Sequence, residues 1–135
     1  MKVTLILNPR AGKRRASTIR ETAEKFSVQH EATLTLRTIA APMDGTLFAQ
    51  KAVSGGADRV IAVGGDGTLN ATAQGLLGST VPMGIVPMGS GNGYARSLKL
   101  SRDPVEALRT AFTGTAAAMD VCYLNEHLFL GTAGI

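Results

Sequence analysis

Arg59-Val60-Ile61-Ala62-Val63-Gly64-Gly65-Asp66-Gly67-Thr68-Leu69-Asn70 decides how this chain is read. Val60-Ile61-Ala62-Val63 is an uninterrupted apolar run, rich in β-branched residues and too short for a helix, so it reads as a buried strand. A glycine turn follows with no spacer, and residues 68–77 then read as a helix. Strand, glycine turn and helix make the repeating unit of an open parallel sheet. Such sheets bind ligands where strands end and loops begin.

The same unit recurs on either side. Residues 3–7 are a short β-rich run stopped by Asn8-Pro9, and residues 13–28 place Ile19, Ala23 and Phe26 at helical spacing. Residues 30–38 alternate as a strand, and residues 42–53 predict a helix that ends at Gly55-Gly56. Residues 83–87 are another apolar run, leading into Gly89-Ser90-Gly91-Asn92-Gly93 and a short helix over 94–98. Asp103, Pro104 and Glu106 stand where an N-cap, a first helical residue and a capping acid belong, so a helix should run to Phe112 and stop near Gly114. Residues 116–124 and 128–132 read as two strands joined at Asn125-Glu126, a hairpin. The expected fold is a three-layer α/β/α, Rossmann-like arrangement with a mainly parallel sheet, followed by a C-terminal β-hairpin.

Composition narrows the function. With 44% hydrophobic and 18% charged residues, the chain is globular and long enough, at 135 residues, for one domain with a core. The net charge of +4 favours an anionic partner without choosing one. Only 4% of residues are aromatic and Trp is absent, so a stacking surface for nucleic acid has little to build on. Cys122 is the sole cysteine, which excludes an intrachain disulfide or a cysteine metal site and suits a reducing compartment. Its plain reading is a small buried hydrophobe. His30 and His127 are isolated and read as surface or strand residues. The N-terminal apolar run is too short for a signal peptide, and no segment approaches the roughly 20 apolar residues of a membrane span. Any membrane contact is therefore expected to be peripheral.

Three polar or glycine-rich turns fall at strand ends: residues 8–12, 64–68 and 89–92. An open parallel sheet would bring them to one edge. In the second turn, glycine lets backbone N–H groups approach a polyphosphate at a helix N-terminus. An acid there is unfavourable unless it holds Mg²⁺ or accepts a proton from an attacking hydroxyl, which singles out Asp66. The plain alternative is an N-cap role for Asp66, but the flanking glycines exceed what a cap needs. The turn is no Walker loop, and Asn70 stands where a dinucleotide fingerprint needs its third glycine. In the third turn, Ser90 between two glycines offers a donor beside open backbone; alone, it reads equally as an ordinary turn. In the first, Arg10 and Lys13 can neutralise phosphate charge and Asn8 can hydrogen-bond a nucleotide. Lys13-Arg14-Arg15 opposes the helix dipole, which favours a nearby anion, either ATP or an acidic lipid surface; a solvated first helical turn is the equal alternative.

Taken in order, Asn8-Pro9-x-Ala11-Gly12-Lys13, Gly64-Gly65-Asp66-Gly67-Thr68-Leu69-Asn70 and Pro87-x-Gly89-Ser90-Gly91-Asn92 resemble the catalytic domain of diacylglycerol kinases. Sphingosine and ceramide kinases and their bacterial relatives share the pattern, and the resemblance spans essentially the whole chain. It implies Mg²⁺-dependent phosphoryl transfer from ATP to a lipid hydroxyl, such as that of diacylglycerol or a sphingoid base. It also implies an α/β nucleotide domain, residues 1–119, with residues 120–135 opening a C-terminal β-sandwich. By matching positions it places Asn8, Arg10 and Thr38 near the nucleotide and Gly64, Gly65, Asp66, Gly67, Thr68, Leu69 and Asn70 at the phosphates. Gly89, Ser90, Gly91 and Asn92 become a further contact. Asp66 is then the candidate catalytic and metal residue, and Asp120 matches the acid at the crossover into the second domain.

Two departures qualify these expectations. Gly93 stands where many bacterial diacylglycerol kinases carry an acid, which leaves the lipid class open. The chain also stops at Ile135, so the lipid pocket and a second catalytic acid are expected beyond it, and this piece alone is expected to be inactive. The implied location is cytoplasmic, compatible with a peripheral position on the inner membrane face. Unpaired hairpin edges would favour homo-oligomers. NAD-kinase-like enzymes also use Gly-Gly-Asp-Gly but lack the Gly-Ser-Gly-Asn turn. A non-catalytic nucleotide-binding or lipid-surface regulator is the alternative of another class. The pI of about 9.6 is the sole motive for a nucleic-acid module, and Asp66 counts against it.

Overall fold

A computed structural model of the chain describes residues 1–11, 13–88, 103–114, 122–124 and 127–129. Strands β1 (Lys2–Leu7), β2 (Thr33–Thr38), β3 (Arg59–Gly64) and β4 (Met83–Pro87) form one sheet in the order β2-β1-β3-β4. Every pairing in it is parallel. Helices α1 (Lys13–Gln29), α2 (Asp44–Ser54), α3 (Asp66–Leu76) and α4 (Pro104–Thr113) cover its two faces.

The strand order reverses at β1. The chain leaves β1 for β2 on one side and returns past it to β3 on the other. Right-handed crossovers in opposite directions need helices on opposite faces. The side chains show this partition with the two-residue period of a strand. Val3, Leu5 and Leu7 of β1 and Ile61 and Val63 of β3 pack with Ile19, Ala23 and Phe26 of α1 and Leu108 and Phe112 of α4. Ile6 and Val60 turn the other way, onto Ala49 and Ala52 of α2 and Leu76 of α3. Ala62 and Ile85 meet Leu69 of α3 on that same face.

The second face is packed through small residues. A Cβ added at Gly75 of α3 would collide with the Thr46 carbonyl and the Ala49 methyl of α2, and one at Gly45 would lie 3.0 Å from Ala71 Cβ. Thr46 Oγ1 donates to the Ala71 carbonyl at 2.8 Å across the same interface. The two helices therefore run nearly in backbone contact, which carries their N-termini to the same sheet edge.

The expected α/β/α layers are present, with adjusted boundaries. Residues 30–32 do not begin β2. They close α1 in a Schellman motif: Ala32 N–H donates to the Ser27 carbonyl at 2.7 Å, Glu31 N–H to the Val28 carbonyl at 3.2 Å, and Glu31 takes φ 54°. α2 starts at Asp44, two residues later than expected, and ends at the expected glycine pair, with Gly56 at φ 80°. α3 starts at Asp66, two residues earlier than expected. Asp103 caps α4 as expected, accepting from Val105 N–H at 3.0 Å. The His30 ring packs beside two aromatic rings, its centroid 6.3 Å from that of Phe112 and 6.4 Å from that of Phe26. Strands β5 (Cys122–Leu124) and β6 (His127–Phe129) pair antiparallel. The short helix over 94–98, Asp120 and the joint at Asn125-Glu126 lie outside the described residues. Among the described residues, no helix is long and apolar enough to cross a membrane.

Candidate functional site

β1 and β3 end side by side where the strand order reverses, the place where an open α/β sheet leaves a crevice. Asn8 N–H extends the ladder by donating to the Val63 carbonyl at 3.0 Å, and Met88 N–H donates to the Gly64 carbonyl at 3.0 Å. The first residues past β1 and β4 are thus both fastened to the end of β3.

Strand parity turns the Asn8 side chain toward α3. Its amide Nδ2 donates to Thr68 Oγ1 at 3.2 Å, and its Oδ1 accepts from Arg10 N–H at 3.0 Å, an Asx turn that folds residues 8–10 over the strand end. Gly64 is needed for the same contact: a Cβ there would lie 2.6 Å from Thr68 Oγ1. The first two turns singled out in the sequence, 60 residues apart, are hydrogen-bonded to each other.

The N-cap of α3 is Gly65, not Asp66, and it makes no side-chain cap hydrogen bond. The first helical bond runs from Leu69 N–H to the Gly65 carbonyl at 3.1 Å. The N–H groups of Asp66, Gly67 and Thr68 therefore have no acceptor within the helix and lie at its positive end. A Cβ at Gly67 would meet nothing within 4 Å, so none of the described residues requires glycine there. Asp66 is exposed at the first helical position. The N-cap reading of Asp66 is thereby set aside.

A cleft of about 700 Å³ opens beside these groups. Asn8, Pro9 and Arg10 line it from β1, Gly67, Thr68 and Ala71 from α3, and residues 38–42 with Gly45 from the connection into α2. That volume lies within the usual range for small-molecule sites. Thr38 is at one wall, its Oγ1 accepting from Arg20 Nη2 at 2.9 Å.

Of the expected site residues, Asn8, Arg10, Thr38, Gly67 and Thr68 line the cleft together. Gly64, Gly65 and Asp66 form the turn beside it without lining it. Leu69 does not line the cleft: its side chain is fully buried with Ala62 and Ile85, because the fourth helical position of α3 faces the sheet. Asn70 is half-buried in the next position. Gly12 and the third turn, Gly89, Ser90, Gly91 and Asn92, lie outside the described residues. Sequence reading missed Ile39, Ala40, Ala41, Pro42 and Ala71 as cleft walls, since these apolar residues carry no motif; the rule that ligands sit at strand ends was the signal available for the β2–α2 connection.

The donors at the start of α3 and the open face of Gly67 fit a phosphate chain. Mg²⁺ commonly takes one or two carboxylates plus phosphate oxygens, and the exposed Asp66 can supply such a carboxylate. Among the described residues, no group of three or more His, Cys, Asp or Glu forms a self-sufficient metal site.

Residues 2–124 match the diacylglycerol kinase catalytic domain. The chain belongs to that family. It is 31% identical over 137 aligned positions to the diacylglycerol kinase of Bacillus subtilis strain 168, covering 98% of this chain and 45% of that protein. A Chromohalobacter salexigens protein named "Probable lipid kinase YegS-like" is 42% identical over 94 residues, 67% of this chain and 30% of that one. Among solved structures, a diacylglycerol kinase from Bacillus anthracis superposes with a TM-score of 0.79 at 27% identity, covering 95% of this chain and 47% of that one. This diacylglycerol kinase catalytic domain chain therefore spans less than half the length of these relatives.

Proposed function

We propose that this chain is the ATP-binding part of a kinase that transfers the terminal phosphoryl group of ATP to a lipid hydroxyl. The observation that carries the reading is the Asn8–Thr68 link at 3.2 Å, which joins the strand-end turns of β1 and β3 into one cleft wall beside the free N–H groups of α3. Family membership and relatives named as diacylglycerol kinases support the reaction class.

In this reading, the N–H groups of Asp66, Gly67 and Thr68 receive the phosphate chain, and Gly67 lets it approach the backbone closely. Arg10, exposed and lining the cleft, neutralises part of its charge. Asn8 holds Thr68 and Arg10 in register from both ends of its amide. Asp66 either holds Mg²⁺ or takes the proton of the acceptor hydroxyl; Mg²⁺, when bound, supplies charge neutralisation at the transferring group. Ser90 and its glycines, by their motif, are a further phosphate contact. Residues 1–119 are the nucleotide domain, and residues 120–135 open a second domain that provides the lipid pocket.

The test is transfer of label from γ-labelled ATP to a panel of diacylglycerols and sphingoid bases by the complete protein. Labelled lipid is expected. Labelled NAD in its place would move the chain to the NAD-kinase alternative, and label on neither would overturn the reading. Asp66→Asn is expected to reduce transfer by about 100-fold or more, the scale of a lost catalytic acid–base or metal contact. Its unfolding free energy should change by less than about 1 kcal/mol, since only a helix-dipole interaction is lost.

A further inference from the structure

The two ends of the cleft differ in hydrogen-bonding character. At the α3 end, three successive N–H groups lack an intrahelical acceptor. At the other end, residues 39–42 have no free backbone donor at all. Ile39 N–H donates to the Leu7 carbonyl at 2.9 Å, and Ala40 and Ala41 N–H donate to one carboxylate oxygen, Asp44 Oδ2, at 2.8 and 2.9 Å. Pro42 has no N–H to give. Asp44 N–H returns a bond to the Ala41 carbonyl at 3.0 Å, closing the loop on itself. The same carboxylate puts a negative charge at the N-terminus of α2, beside Gly45 of the cleft.

A wall without donors and backed by a carboxylate repels phosphate, whereas its apolar atoms suit the flat face of a base. Resting on the reading of the cleft as an ATP site, we propose that Asp44 is a positioning residue. By fastening Ala40 and Ala41, it shapes residues 39–42 into the nucleoside end of the cleft and confines the phosphates to the start of α3. Asp44 itself touches no part of the nucleotide in this arrangement.

The test compares ATP with inorganic tripolyphosphate on the complete protein, in the wild type and in Asp44→Ala and Asp44→Asn. In Asp44→Ala, KM for ATP should rise about five- to tenfold with kcat falling no more than about twofold, as for lost binding of a remote substrate part. Competition by tripolyphosphate should weaken by no more than about twofold, because its site lies at the other end, and loss of the repelling carboxylate can only strengthen it. Asp44→Asn keeps a side-chain oxygen for the two N–H groups and should restore most of the ATP affinity. Hydrogen exchange supplies a readout that needs no variant: the Ala40 and Ala41 amides should be protected in the wild type. Fast exchange at both would overturn the proposal, as would an Asp44→Ala protein that loses ATP and tripolyphosphate equally. A wild type that binds neither ligand would instead overturn the underlying ATP-site reading.

Discussion

Glycines 64 and 67 lie in the same turn for different reasons. A Cβ at Gly64 would lie within 2.7 Å of two Thr68 side-chain atoms, so glycine there is a packing requirement. A Cβ at Gly67 meets none of the described residues within 4 Å, so the proposed ligand is the reason offered for glycine there. Gly67→Ala should therefore leave stability unchanged or raise it by up to about 1 kcal/mol, the helix-propensity gain of alanine. ATP affinity should fall in the same variant. Chemical denaturation paired with equilibrium binding checks both halves, and loss of stability with intact binding would show that Gly67 serves the fold.

Among the elements, the α2–α3 pair matters most to the cleft, because each helix brings one end of it. Their close approach depends on small side chains, and Gly75 sits at the tightest point, against the Thr46 carbonyl and Ala49. Gly75→Ala should destabilise the chain, since overpacking costs about 1–3 kcal/mol and outweighs the roughly 1 kcal/mol that alanine gains in a helix. Gly75 does not line the cleft. Any loss of ATP affinity in this variant would report a shift of α2 against α3. Thermal unfolding and binding measured together separate the two effects.

For the whole molecule, the cleft draws its walls from the ends of β1 and β2 and the starts of α2 and α3, so a ligand there ties together segments remote in sequence. A ligand that binds only the folded state stabilises it by about 2.7 kcal/mol at a concentration 100 times its Kd. ATP with Mg²⁺ at that ratio should raise the unfolding free energy of the complete protein by this amount. Tripolyphosphate at the same ratio to its own Kd should do likewise. An unfolding midpoint that ignores ATP would remove the cleft as a nucleotide site.

Much of the fold was legible along the chain because its signals are local. Apolar runs at residues 3–7, 60–63 and 83–87, the glycine pair at 55–56 and the cap at Asp103 each act within a few residues of their own position. The turn that decided the fold carried its glycines and its acid in the same local way. The third turn was equally legible, and the described residues reach only to Met88, at its entrance. Other features depended on pairing between distant segments. Whether Asp66 caps α3 or merely begins it turned on Gly65 taking the N-cap, which depends on how β3 ends against Asn8 and Met88. Leu69 read as part of a motif, yet the sheet behind α3 claimed it for the core. The wall of residues 39–42 and the carboxylate that holds it carried no motif, because unremarkable residues gain a role only from what they face. Local chemistry determined that the turn at Gly65 is a candidate phosphate site, because glycine and a helix start act within a few residues; tertiary structure decided which walls face it, because those come from distant segments.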